Sequence, residues 1–386
     1  MPRRYRFALA LCCLLPSLSA ADSGGAIVGV DKPADRVLSG DREGLVSREV
    51  RANFGFGPIG YAISQRYLYH RDDPSLTQMG EGYIGMPAPA SANWYHSGFM
   101  FIRVSGQDVG RSPASSMMAV ESGGRAILDM VWRDEAALAR ARFFGLPGAN
   151  WLGCEVTIEP VDEVTDFTIS LRNYPSFFTS HHRRDGARRI QTPTGLVEQG
   201  QPTDGPLSDH WWGVYYDEVF DVARGEGQGP CAMLVLPVEG ASIRFSPGSY
   251  AVGTDLIFTP ETRTVRFAFW DFRGYSNAEA LAELRDRAAE VREVLEAVDL
   301  TPTAIAEFDV AAVRESLEAA LASERTREAL ADDIGAVQRW LAESAPQIEQ
   351  ADGPIGIAAQ EDLLRSIDDY NSFKWQVRLT TLLDEL

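Results

Sequence analysis

A break in composition near residue 275 constrains this chain more than any other feature. Residues 22–275 hold 31 of the 34 glycines, while residues 276–386 hold three glycines and three prolines, with 24 acidic against 10 basic side chains. Glycine and proline punctuate turns and are unfavourable inside helices, so the first part reads as strands and the second as helices. Apolar runs recur in the first part at Phe99–Val104, Ala126–Trp132, Leu138–Phe144, Glu155–Ile158, Asp166–Leu171, Cys231–Pro237, Ser242–Phe245 and Thr264–Phe272. Gly-Gly, Pro-Gly and Ser-Pro-Gly between such runs are the chemistry of antiparallel connections. In the last run Val265, Phe267 and Phe269 share one face, and Ala268, Trp270 and Phe272 share the other. A strand apolar on both faces needs cover on both sides. The expected fold is therefore mainly β: a large antiparallel multi-sheet β-sandwich over 51–275, after a lead segment 22–50, followed by a C-terminal α-helical hairpin or small bundle in 276–386.

The helical part opens on Ser276-Asn277-Ala278-Glu279, a helix-start signature. Leu281, Leu284, Ala288, Val291, Leu295 and Val298 follow at spacings of three and four, an apolar seam. Further helices are predicted from Asp309 or Val310 to about Leu321, from Arg325 to about Ile348, and from about Ala358 onward. The acidity of this region reads either as a solvated outer face or as a surface for a protein partner.

Residues 1–21 have the three parts of a secretory signal peptide: Arg3, Arg4 and Arg6, then the apolar run Phe7–Leu15, then Ser19-Ala20-Ala21. Export to the periplasm or the extracellular space is expected, with no membrane insertion, because no later segment is apolar enough to span a bilayer. Loss of the three leader arginines would take the formal net charge from −19 to −22. Such a balance argues against nucleic acid as a partner, since phosphate binding needs a cationic footprint. Lys32 and Lys374 are the only lysines, which argues against a P-loop or a catalytic lysine in the sandwich. Beyond the leader the cysteines are Cys154 and Cys231. In an oxidising compartment they can pair as a disulfide or stay as two buried thiols.

Several motifs carry no chemistry. Gly55-Phe56-Gly57-Pro58-Ile59-Gly60 matches the dinucleotide pattern, but the β-rich Tyr61–Tyr69 follows it where a helix would be needed. It reads as a turn, and no cofactor is expected. The richest segment is 174–220, where His181, His182, Arg183, Arg184, Arg188, Arg189, His210, Trp211, Trp212, Tyr215 and Tyr216 fall close together in an acidic chain. Arginine forks suit carboxylates, histidines move protons near neutral pH, and aromatic faces suit sugar C–H surfaces. The candidate catalytic residues are His96, His181, His182 and His210. The candidate substrate-binding residues are Tyr95, Arg183, Arg184, Trp211, Trp212 and Tyr215. The competing reading has the arginines pairing with surface carboxylates and the aromatics filling the sandwich. Adjacent histidines on a strand point to opposite faces, so no metal site is expected.

Residues 50–275, with strand density, Trp-rich strands and the ending Phe269-Trp270-Asp271-Phe272-Arg273-Gly274, resemble the large sandwiches of the galactose mutarotase-like superfamily. The resemblance implies carbohydrate as the partner, since members include epimerases and the sandwich domains of polysaccharide lyases. It also implies that the epimerases' histidine–glutamate pair corresponds to one of His96, His181, His182 or His210 with Glu218. The helical region departs from the lyases, being too short for their helical toroid and C-terminal to the sandwich. Three functions remain open: a carbohydrate-active enzyme on an acidic saccharide with His or Tyr as acid and base, a non-catalytic carbohydrate-binding protein, and an envelope scaffold working through its helices.

Overall fold

The computed structural model describes residues 24–75, 77–78, 83–177, 186–349 and 355–384. Along the chain the strands are β1 (Ile27–Val30), β2 (Ala34–Val37), β3 (Leu45–Gly55), β4 (Tyr61–His70), β5 (Thr77–Gln78), β6 (Ile84–Ala88) and β7 (Met100–Val104). Then follow β8 (Gln107–Asp108), β9 (Ser116–Glu121), β10 (Ala126–Arg133), β11 (Ala137–Gly145), β12 (Trp151–Pro160), β13 (Phe167–Asn173) and β14 (Arg188–Thr192). The last are β15 (Gly195–Glu198), β16 (Thr203–Pro206), β17 (Trp212–Asp217), β18 (Cys231–Val235), β19 (Ser242–Pro247), β20 (Val252–Phe258) and β21 (Thr264–Asp271).

These strands form two antiparallel sheets. A 12-stranded sheet has the order β1-β3-β4-β6-β7-β13-β20-β19-β16, with β2, β5 and β8 pairing off its path. A 9-stranded sheet has the order β15-β14-β17-β18-β21-β12-β11-β10-β9. The core lies between them, where Trp94 meets Tyr215 at 5.5 Å and Phe269 at 4.9 Å between ring centres. Two hydroxyls tie the sheets together. Tyr215 on β17 bonds Thr254 of β20 at 2.9 Å, and Tyr61 on β4 accepts the Asp271 N–H of β21 at 3.1 Å. The mainly-β sandwich expected from the sequence is what the chain forms.

The strands begin earlier than the expected boundary. β1 and β2 lie in the segment taken as a lead, and both pair with β3. All four β2 side chains are exposed, so this edge strand carries no apolar alternation that could mark it. The glycine-rich motif forms the β3–β4 hairpin turn. Gly57 is required there by close approach, since a Cβ would lie 1.8 Å from the Ala149 carbonyl oxygen.

The helices are α1 (Asn277–Ala297), α2 (Thr303–Ala306), α3 (Val310–Ala322), α4 (Glu324–Ala329), α5 (Ala331–Glu343), α6 (Ala345–Glu349) and α7 (Ile357–Asp384). Ser276 and Glu279 form a reciprocal capping box on α1. Ala280, Leu284, Ala288, Val291 and Leu295 are buried, so the seam starts at Ala280, with Leu281 and Val298 at its margin. That seam lies on the outer face of the 9-stranded sheet, where Trp270 sits 5.4 Å below the Arg287 guanidinium. This is the cover that the doubly apolar β21 demanded. The remaining helices build a second core around Val313, Val337, Trp340, Leu363 and Phe373. The single helix expected over 325–348 is broken into α4, α5 and α6 at Leu330 and Ser344.

The cysteines are free and buried. Cys154 pairs with Phe267 and Cys231 with Asp271, so β21 runs between them. Two strand spacings alone separate their Cα atoms by about 10 Å, beyond the roughly 7 Å reach of a disulfide. The disulfide expectation is thereby overturned.

Candidate functional site

A two-sheet sandwich has four faces. Two meet in the core, and helices cover the outer face of the 9-stranded sheet. Among the described residues no helix covers the outer face of the 12-stranded sheet, and strand register places its chemistry in rows. Phe101 of β7, Ser170 of β13 and Asp255 of β20 stand side by side, since Ser170 pairs with both. One step along the same face, Arg172 stands beside Gly253. Because Gly253 has no side chain, a gap opens there, and a Cβ would meet nothing closer than 3.8 Å.

The result is a groove of about 360 Å³ lined by Tyr83, Phe101, Arg103, Arg172, Gly253 and Asp255 among others. The Tyr83 and Phe101 rings meet edge to face at 4.3 Å, and the Arg172 guanidinium lies 5.1 Å from the Phe101 ring. The Ser170 hydroxyl donates to Asp255 at 2.6 Å, and Arg103 donates to Asp108 at 3.0 Å. Among the described residues no carboxylate pairs with Arg172. Next to the groove runs a chain of rings: Tyr250 to Tyr174 at 5.4 Å, Tyr174 to Tyr95 at 4.9 Å, and Tyr95 to His96 at 4.7 Å. Burial, and then the Tyr250 hydroxyl, push the Tyr174 phenol well above its ordinary value, so it stays neutral.

The expected site residues fall in different places. Tyr95 and His96 lie at this aromatic rim, where the His96 Nδ1–H donates to the Ser91 carbonyl at 3.1 Å. His181, His182, Arg183 and Arg184 lie outside the described residues. His210 is buried, bonded through Nδ1 to Thr194 at 3.0 Å and packed on Phe245. Tyr215 is wholly buried in the core, and Trp212 is buried on the opposite face of β17. Trp211 lies under α1, 5.4 Å from the Arg292 guanidinium. Tyr215 and Trp212 therefore pack inside the layers, while Trp211, half-buried, packs beside α1. Arg188 is buried beside Asp217 at 3.6 Å, and Arg189 pairs with Glu198 and Glu218. With Glu218 on Arg189, His96 on Ser91 and His210 on Thr194, the described histidines form no acid–base pair with Glu218.

The groove residues Phe101, Arg103, Arg172 and Asp255 escaped the sequence reading. The available signal was an aromatic at the outward position between Met100 and Ile102 of an alternating strand. Among the described residues no group of three His, Cys, Asp or Glu side chains is placed to hold a metal, and no helix is long and apolar enough to cross a membrane.

Fold and groove together define a large two-sheet β-sandwich with a helical cap and one open, polar-aromatic face. No family model matches the chain, and no curated protein matches it. Among solved structures it is similar to the α-N-acetylgalactosaminidase NagBb of Bifidobacterium bifidum in complex with GalNAc, at 10% identity and a TM-score of 0.36. A quadruple mutant of that enzyme gives 9% and 0.34. Each match covers 67% of this chain and 39% of the other, so the chain spans about two-fifths of the enzyme's length. A likeness at this level says nothing of chemistry, which rests on the groove's own residues.

Proposed function

We propose that this is an exported protein that binds carbohydrate, an acidic saccharide in particular, in the groove on the open face. The observation that carries the reading is Arg172, a guanidinium without a carboxylate partner among the described residues, beside the Phe101–Tyr83 platform in a chain of net charge −19. Long-range repulsion disfavours anions near such a chain, but at physiological salt it fades within about 10 Å, and a bidentate arginine then supplies local attraction. The ring faces suit sugar C–H surfaces, and Ser170 with Asp255 can bond hydroxyls. The resemblance of residues 50–275 to galactose mutarotase-like sandwiches supports the same ligand class.

Recognition is favoured over hydrolysis. Asp108 and Asp255 both line the groove, but β8 and β20 are separated by β7 and β13. Three strand spacings come to about 14 Å, and side chains standing off the sheet shorten this little. Glycosidase carboxylates lie roughly 5–9.5 Å apart.

The test is binding of oligouronates and their neutral counterparts to the full chain. Arg172→Ala should weaken uronate binding by about 1–3 kcal/mol, with a smaller salt dependence, and Phe101→Ala should weaken both ligands. Gly253→Phe should fill the groove and abolish binding without lowering stability. Unchanged binding in all three would refute the assignment. Export is tested by the mass of the mature protein, which should begin near residue 22. A second reading, a non-catalytic interaction protein, is favoured by the exposed Trp375, Leu379 and Leu382 along one flank of α7. A full glycan screen without a binder would support it.

A further inference from the structure

A second cavity, of about 400 Å³, lies between the outer face of the 9-stranded sheet and the helices. Its floor is a charged ladder set by register, in which Asp129 faces Arg142, Arg142 faces Glu155, and Glu155 faces Arg266. Most of these charges are matched. Arg142 grips Asp129 with two bonds of 2.7 and 2.6 Å and donates a third to the Leu300 carbonyl. Arg266 holds Glu155 at 2.8 Å and donates to the Leu295 and Val298 carbonyls that close α1. Glu159 accepts the Ile357 N–H at the start of α7 at 2.7 Å, and Asp299 accepts the Thr301 N–H at 2.9 Å.

Arg140 shares a single carboxylate, that of Glu155, with Arg266. It is 5% exposed, and among the described residues its Nε–H has no acceptor. One terminal nitrogen donates to the Gln360 side chain at 2.7 Å, while the other reaches Glu155 only at 3.4 Å, on a carboxylate already held by Arg266. Burial first, and then the neighbouring Arg142, disfavour its charge more than Asp129, Glu155 and Glu159 favour it. A buried guanidinium held by one long, shared ion pair has room for a second, closer anion.

We infer that this cavity binds a small hydroxylated monocarboxylate, of the sugar-acid class, whose carboxylate completes Arg140. The charge is limited to one because Glu155, Glu159 and Asp299 line the same walls and would repel a dianion. The hydroxylated class follows from Thr157, Thr264 and Thr301 on the cavity wall. Since Gln360 belongs to the first turn of α7, the occupant bridges sheet and helix and tightens the docking of the helical cap. The groove shares no residue with this site.

The experiment is thermal unfolding of the full chain in sodium glucuronate, against sodium acetate, glucose and sodium chloride at matched ionic strength. Glucuronate should raise Tm saturably, acetate less so, and glucose and chloride not at all. Arg140→Gln should shift half-saturation at least tenfold upward, while the groove variant Arg172→Ala should keep the full response. Gln360→Glu places a carboxylate beside Arg140 from within, so it should melt higher without ligand and lose the response even if Arg140→Gln fails to fold. A response kept in folded Gln360→Glu, matched by chloride, or lost in Arg172→Ala instead, would overturn the assignment.

Discussion

Asp271 offers the sharpest test of how this sandwich is held together. Its carboxyl is buried on the core face of β21, where it accepts the Asn93 side-chain N–H at 3.1 Å and the Arg273 N–H at 3.0 Å. Asn93 belongs to the β6–β7 loop, which also carries Tyr95 and His96 to the aromatic rim. Desolvation outweighs these bonds and pushes the carboxyl up to about 7 from its ordinary 3.8. The native state therefore keeps this proton up to about pH 7, whereas the unfolded chain releases it near pH 4. Native protein binds more protons across that window, so the stability contribution is full below about pH 4 and is lost as pH rises through 7. About three pH units at 1.36 kcal/mol each amount to about 4 kcal/mol. Asp271→Asn cannot ionise, but its amide presents a donor where the carboxyl accepted, at a cost of about 1–2 kcal/mol. Urea unfolding at a series of pH values should then give crossing curves: the variant is weaker at pH 4 and stronger by about 2 kcal/mol at pH 8. Parallel curves for the two proteins would show that the carboxyl is solvated and refute the reasoning.

Arg142→Met should destabilise by about 3–5 kcal/mol, because it strands Asp129 as a buried charge; urea titration measures it, and a loss below 1 kcal/mol would contradict the ladder. Ser276→Ala should cost about 1 kcal/mol by removing the α1 cap, read from the same titration. Reduction should leave the intact mass unchanged, and Cys154 and Cys231 should react with iodoacetamide only after unfolding, since burial raises both thiols well above their usual range.

Where the signal was local, the sequence was legible. Apolar runs bounded by turn residues mark Ala126–Trp132 and Thr264–Phe272 whatever the rest of the chain does, and each lies within or nearly matches an observed strand. The α1 start was readable because Ser276 and Glu279 cap each other across one turn. β2 was not readable, because an exposed edge strand is held by backbone pairing alone and leaves no apolar trace. The break at Ser344 has a local signal in Pro346, which has no N–H to continue the helical ladder, whereas the break at Leu330 falls inside a periodic pattern with no local breaker.

For the site, residue type alone misled. Trp212, Tyr215 and His210 have side chains suited to a sugar, yet burial turns them into packing and hydrogen-bond groups, and Trp211 is half-covered beside α1. Phe101, Ser170 and Asp255 lie 69 and 85 residues apart along the chain and become a row only when β7, β13 and β20 pair in that register. By itself the sequence determined the strand and helix classes and their division near residue 275, because alternation, turn chemistry and capping act within a few residues. Which face stays open, which arginine lacks a carboxylate and which aromatic meets solvent were decided by tertiary structure, because burial and charge pairing depend on neighbours that only the packed sheets bring together.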